Sequence, residues 1–215
     1  MKILMLVNWK VLSCKETPND KQPPDYRVEG EPYWFYRYFN QKDDVDIIDI
    51  SSVSWLENFE REKLRFYVLQ ALKAIPKLHK YDLIVSHGMQ SAVVVCLYRR
   101  FFKGKEKHIV FDIGSFNSAA ESGGALKLMQ FASRSIDGLI YHTSAQHGYY
   151  EKFFPWLVEK SQFIRFGTDG VFWKKETDSK EEIKDLAAAE NGSVPYILCV
   201  GYIKRDWDTL YRAYA

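Results

Sequence analysis

The chain has 215 residues, of which 47% are hydrophobic, 27% charged and 16% aromatic. This balance is too apolar for a disordered chain and too charged for a membrane-embedded one. A formal net charge of +2 gives no global attraction to nucleic acid, so none is expected as a partner. The three scattered cysteines, Cys14, Cys96 and Cys199, suit neither a disulfide framework nor a zinc site. The longest apolar run, 92–98, falls far short of the ~20 residues that span a bilayer. No secretory signal is visible behind Met1-Lys2. These features predict a cytoplasmic setting, and one full domain or one domain with part of another.

Short β-branched runs alternate with segments of helical period. The first strand is expected at Ile3–Val7. A connection rich in Pro, Asp, Lys and Asn follows over 10–31, before a helix near Pro32–Asn40. Loops beyond ~15 residues in compact domains are usually functional lids or disordered, and both readings stand here. A second strand is expected at Val45–Ile50. Leu64, Val68, Leu72 and Ile75 then form an apolar stripe that predicts one helix over 61–79. Strands at Leu83–Val85, Ile109–Phe111, Leu139–Tyr141 and Phe163–Phe166 are separated by helices over 89–102, 121–135 and 144–154. Ser144 is the expected N-cap of the last helix. Several strands are apolar on both faces, as in a sheet covered by helices. The predicted fold is α/β, a doubly wound, Rossmann-like parallel sheet.

After Phe166 the pattern changes. Residues 1–173 read as the first domain and 174–194 as a charged, turn-prone linker. Residues 195–215 read as the opening strand and helix of a second domain. One strand and one helix cannot bury their apolar faces alone, so either they dock on the first domain or the chain is the front of a longer protein, and the second is the expectation.

GxGxxG, GxxxxGK[ST], HExxH and GxSxG are all absent. What remains are polar residues at strand ends, where open parallel sheets place their ligands. Asn8 and Trp9 follow the first strand, a polar group beside an aromatic that suits a sugar or a nucleoside. Ser86-His87-Gly88 follows the third strand and Asp112-Ile113-Gly114-Ser115 the fourth. His87 and Asp112 are the candidate catalytic residues. Asn8, Trp9, Gly88 and Ser115 are candidates for ligand contact. Gly88, Gly114 and Gly167 would let a ligand approach backbone N–H groups. The bland alternatives are turns, helix caps and a half-buried ring.

Charge is uneven. Residues 61–80 carry a net +5 and residues 99–107 a net +4, with Phe66, Tyr67, Tyr98, Phe101 and Phe102 interleaved. Cations among aromatics suit an anionic membrane surface, the alternative being a solvated basic face. Peripheral contact with the inner face of the membrane is therefore one expectation.

Phe166-Gly167-Thr168-Asp169-Gly170-Val171-Phe172 resembles the "GvD…F" stretch that closes the first domain of GT-B glycosyltransferases of family four. Val200-Gly201-Tyr202-Ile203-Lys204-Arg205-Asp206-Trp207-Asp208-Thr209-Leu210 resembles that family's opening of the second domain. Tyr141-His142-Thr143-Ser144 resembles its "vt.S", which adds Ser144 to the acceptor side. The resemblance implies two Rossmann-like domains across a cleft, the first for acceptor and the second for a sugar nucleotide. It implies retaining hexosyl transfer to a saccharide or lipid-linked acceptor, as in cell-surface polysaccharide or glycolipid synthesis. No metal and no cofactor are implied. Gly201, Lys204 and Arg205 match the donor-binding positions. Tyr202 stands where the family usually has an Arg, Gly30 alone represents its glycine pair, and the Glu-rich donor motif has no counterpart. The chain alone is thus expected to be inactive. The alternative is a non-catalytic binding or scaffold protein that kept the fold.

Overall fold

The computed structural model describes residues 1–39, 43–102, 104–114, 116, 121–165 and 167. Within them the aliphatic runs form eight strands. These are β1 (Lys2–Leu6), β2 (Leu12–Cys14), β3 (Tyr26–Val28), β4 (Asp44–Ile48), β5 (Leu83–His87), β6 (Lys107–Asp112), β7 (Gly138–Tyr141) and β8 (Ser161–Phe163). Six helices accompany them: α1 (Ser54–Phe59), α2 (Val68–Ala74), α3 (Met89–Phe101), α4 (Gly124–Ser133), α5 (Ala145–Phe153) and α6 (Pro155–Val158).

Six strands form one sheet in the order β4-β1-β5-β6-β7-β8, every pair parallel. The fold is Rossmann-like α/β, as the alternation predicts. The register sorts the side chains, because successive residues of a strand point to opposite faces. Leu4, Leu6 and Ile84 pack against Ala71, Ala74 and Leu78 of the α2 segment and Val95 of α3. Val110, Leu139 and Tyr141 join α3, α4 and α5 in a second cluster on the same face. On the opposite face Ile3, Met5, Val7 and Val85 are covered by Tyr33, with Trp34 and Tyr36 alongside. The chain visits β1, then β4, then β5, so the direction of sheet growth reverses between β1 and β5. That is the topological switch point.

Several expectations are corrected. The single helix over 61–79 is broken. Glu60–Leu64 forms a wide π turn, Arg65 adopts φ 60°, α2 begins at Val68, and Ile75–Lys80 tightens into a 3-10 turn. Glu60 causes part of this, since its Oε1 accepts the Leu69 N–H at 2.8 Å and caps α2. The apolar stripe is also rotated. Leu72 is exposed, whereas Ala71 and Ala74 meet the sheet and let helix and strand approach closely. The helix near Pro32–Asn40 is one 3-10 turn, Trp34–Tyr36, with Asn40 outside the described residues. Ser144 occupies the cap position of α5 but makes no side-chain cap bond. Gln146 Oε1 accepts the N–H groups of His142 and Thr143 instead.

The connection over 10–31 is ordered. β2 and β3 pair in parallel as a small second sheet. The Pro24 carbonyl accepts Trp9 Nε1 at 3.3 Å and the Tyr33 hydroxyl at 2.8 Å, and Val11 N donates to Asp49 Oδ2 at 2.9 Å. The chain divides into two units, Met1–Phe166 and Gly167–Ala215. The linker and second-domain boundaries expected at 174–194 and 195–215 lie outside the described residues.

Candidate functional site

The carboxyl ends of β1 and β5 deliver their next residues to one place. β1 runs on into Asn8 and Trp9, and β5 ends at His87. His87 Nδ1 lies 3.2 Å from Asn8 Oδ1. An amide oxygen has no proton to give, so Nδ1–H donates and the neutral ring keeps Nε2 as an open lone pair. The Trp9 ring meets His87 edge-on at 4.6 Å, and Phe35 stands 6.0 Å from both rings. Trp9 is held in turn through Pro24, so the ordered 10–31 segment buttresses the crevice wall.

The electrostatics keep His87 uncharged. Burial, reinforced by the charge of His142, holds its pKa down to about 4. His142 follows β7, and its Nδ1 donates to the Ile164 carbonyl at 2.7 Å. Its ring lies near-parallel to Phe111 at 6.4 Å. Phe35, Phe111 and His142 thus extend the edge beyond the residues that sequence reasoning selected. His142 stood beside the quoted Ser144. Phe35 lay in a segment whose path no periodicity reveals.

The remaining candidates fare differently. Asp112 is fully buried, and its carboxylate is taken up within the protein. Oδ1 accepts the N–H groups of Gly114 at 3.0 Å and Phe116 at 3.4 Å, and Oδ2 accepts Gln146 Nε2 at 3.0 Å and the Tyr150 hydroxyl. It ties the loop after β6 to α5. Gly88 adopts φ 82°, where a side chain is strained, but its N–H donates to the Phe111 carbonyl at 2.7 Å. Neither Gly88 nor Gly114 therefore presents a spare N–H to a ligand. Ser144 is exposed on the same sheet edge, at the start of α5. Ser115, Gly201, Lys204 and Arg205 lie outside the described residues.

The two basic segments do not form one face. Arg61, Lys63 and Arg65 precede α2, while Lys77 and Lys80 follow it, at the other end of the helix. Arg99 is not a surface cation. It is buried and donates to Glu106 Oε1 at 3.3 Å, to Asp137 Oδ2 at 3.0 Å and to the Ser135 carbonyl at 2.7 Å. Among the described residues no group of three or more His, Cys, Asp or Glu is placed to hold a metal ion. No described helix is long and apolar enough to cross a membrane.

No family model matches the chain, and no curated protein matches it. Two solved structures of HepE from Anabaena are similar to it, one in complex with UDP and one with UDP and glucose. Each gives a TM-score of 0.48 over 89% of this chain, at 15% and 14% identity. The match covers 50% of either HepE chain, so this chain spans about half their length.

Proposed function

We propose that this chain is the acceptor-binding half of a retaining glycosyltransferase, which passes a hexosyl group from a sugar nucleotide to a saccharide or lipid-linked acceptor. The observation that supports it is the Asn8–His87–Trp9 cluster at the switch point, where open α/β sheets take their ligands. A sugar offers apolar C–H faces to an aromatic ring and hydroxyls to hydrogen-bonding groups. Trp9 and Phe35 supply the rings here. The free Nε2 of His87 accepts the acceptor hydroxyl, orients it and takes up proton density as that oxygen attacks. Asn8 is a positioning residue that fixes the His87 tautomer. Asp112 also positions, by holding the loop after β6.

The donor side of the proposal rests on the sequence resemblance. Lys204 and Arg205, with Gly201 for close approach, would neutralise the leaving diphosphate. Tyr202 in place of the expected Arg favours a second reading, a carbohydrate-binding protein without turnover.

The test is calorimetric titration with UDP, GDP and their sugars. It compares this chain with a version extended by about 150 residues, the size of one domain. Sugar-nucleotide binding by the extended form alone is the expected result. Binding by neither form overturns the transferase reading. In an active extended protein, His87→Ala is expected to lower turnover by about 100-fold without loss of fold.

A further inference from the structure

We propose that the amino edge of the helix-covered face docks on an anionic lipid surface. α2, α3 and α4 each run back from the carboxyl edge to the start of the next strand. Their C-terminal ends, and the turns into β5, β6 and β7, therefore gather at the amino edge. Two phenylalanines end α3 in water, Phe101 at 71% and Phe102 at 65% exposure. Phe131 of α4 lies 6.0 Å from Phe101, and the Arg100 guanidinium sits 5.0 Å from its ring centre. These rings thus form one apolar patch across two helices rather than scattered side chains.

The charge around the patch is one-sided. Lys77 and Lys80 lie in the turn before β5, Lys105 in the turn before β6, and Arg134 at the end of α4. Among the described residues from 66 to 136, eight exposed Lys or Arg stand against two exposed acids, Asp82 and Glu121. The other two carboxylates of that stretch, Glu106 and Asp112, are buried and occupied. Five further acids, Glu29, Glu31, Asp43, Asp44 and Asp46, line a groove of about 500 Å³ along edge strand β4, which β1 and β5 separate from β6 and the turn that leads into it.

Charge complementarity selects the occupant. A polyanion such as nucleic acid meets the cations but offers less to apolar rings that project from a helix end. A bilayer interface takes both at once, headgroup phosphates against Lys and Arg and acyl chains against phenylalanine. Docked this way, the crevice at the carboxyl ends of β1 and β5 faces away from the bilayer. The proposal stands apart from sugar transfer, and either can fail alone.

The experiment is co-sedimentation of the whole chain with phosphatidylglycerol/phosphatidylcholine vesicles and with pure phosphatidylcholine vesicles. Binding to the anionic vesicles alone, weakened by salt, is expected. Lys80→Glu with Arg100→Glu should weaken partitioning by about tenfold or more, given ~1 kcal/mol per basic residue near such a surface. Phe101→Ser with Phe102→Ser should weaken it comparably, with circular dichroism verifying that each variant is folded. Arg61→Glu with Lys63→Glu, at the far end of α2, should leave binding unchanged. No binding by the parent chain, equal binding to neutral vesicles, or indifference to the phenylalanine changes overturns the proposal. So does duplex DNA held as tightly as the anionic vesicles, which assigns the patch to a general polyanion.

Discussion

His87 and Asp112 are both polar residues at strand ends, and their surroundings give them opposite parts. His87 keeps an open Nε2 beside two aromatic rings, while Asp112 spends its carboxylate on donors that include Gly114, Phe116, Gln146 and Tyr150. The first prediction concerns protonation. With its pKa held down to about 4, His87 is neutral throughout the physiological range. Buried His108, 2.9 Å from Ser86 Oγ, is held down to about 3, by burial first and then by Arg99. Unfolded histidines titrate near 6.5, so between that value and the folded pKa the unfolded chain binds more protons. Stability is therefore full above about pH 6.5 and falls as pH drops toward 4 and then 3. Imidazole shifts read by NMR, together with urea unfolding across that window, check it. A His87 midpoint near 6.5 refutes the buried, neutral assignment. The second prediction is that Asp112→Ala costs about 3–5 kcal/mol, because the Tyr150, Gln146 and backbone donors lose a buried partner. Urea unfolding measures this. A cost under about 1 kcal/mol would mean that Asp112 is not a structural tie.

Among the elements, α3 connects the two halves of the helix layer. Its apolar side packs in both clusters on the helix face, and its N-terminus starts directly behind His87. Near its other end, Arg99 joins α3 to Glu106 before β6 and Asp137 before β7. Removing the cation leaves two carboxylates with little water to solvate them. Arg99→Ala is thus expected to cost about 3–5 kcal/mol, the range for breaking a buried ion pair from one side. Replacing all three partners with apolar residues of similar volume should cost much less. A double-mutant cycle with Glu106→Gln separates the pair from the packing, and additive losses would show the two to be uncoupled. The 10–31 segment acts as an element too. Through Pro24 it fixes Trp9 and Tyr33 together, which makes it a wall of the crevice.

Across the unit Met1–Phe166, the sheet separates two surfaces. The carboxyl edge carries the crevice, and the amino edge of the helix layer carries the cations and exposed phenylalanines. Because these edges are opposite and share no side chain, their ligands should bind independently. Saccharide affinity measured with and without anionic vesicles is expected to agree within about twofold. A larger change would mean that the two surfaces are coupled.

The alternation of aliphatic runs and helical stripes was enough to predict a parallel, doubly wound sheet, since strands buried on both faces leave few other solutions. It also brought Asn8, Trp9 and His87 to one edge, because a residue following a parallel strand has to emerge there. The strand order was not legible. Nothing local in β1 or β5 says that they are neighbours, yet that adjacency is what makes Asn8 and His87 partners. Burial was equally hidden at Asp112 and Arg99, whose residue types read as exposed until helices packed over them. The break at Arg65 escaped the 61–79 stripe because Glu60 caps α2 from outside the repeating pattern. Local chemistry determined which segments are strands and helices and which polar groups reach the sheet edge. Long-range packing decided which of those groups stay open to a ligand, because only the assembled sheet and helices settle where each hydrogen bond ends.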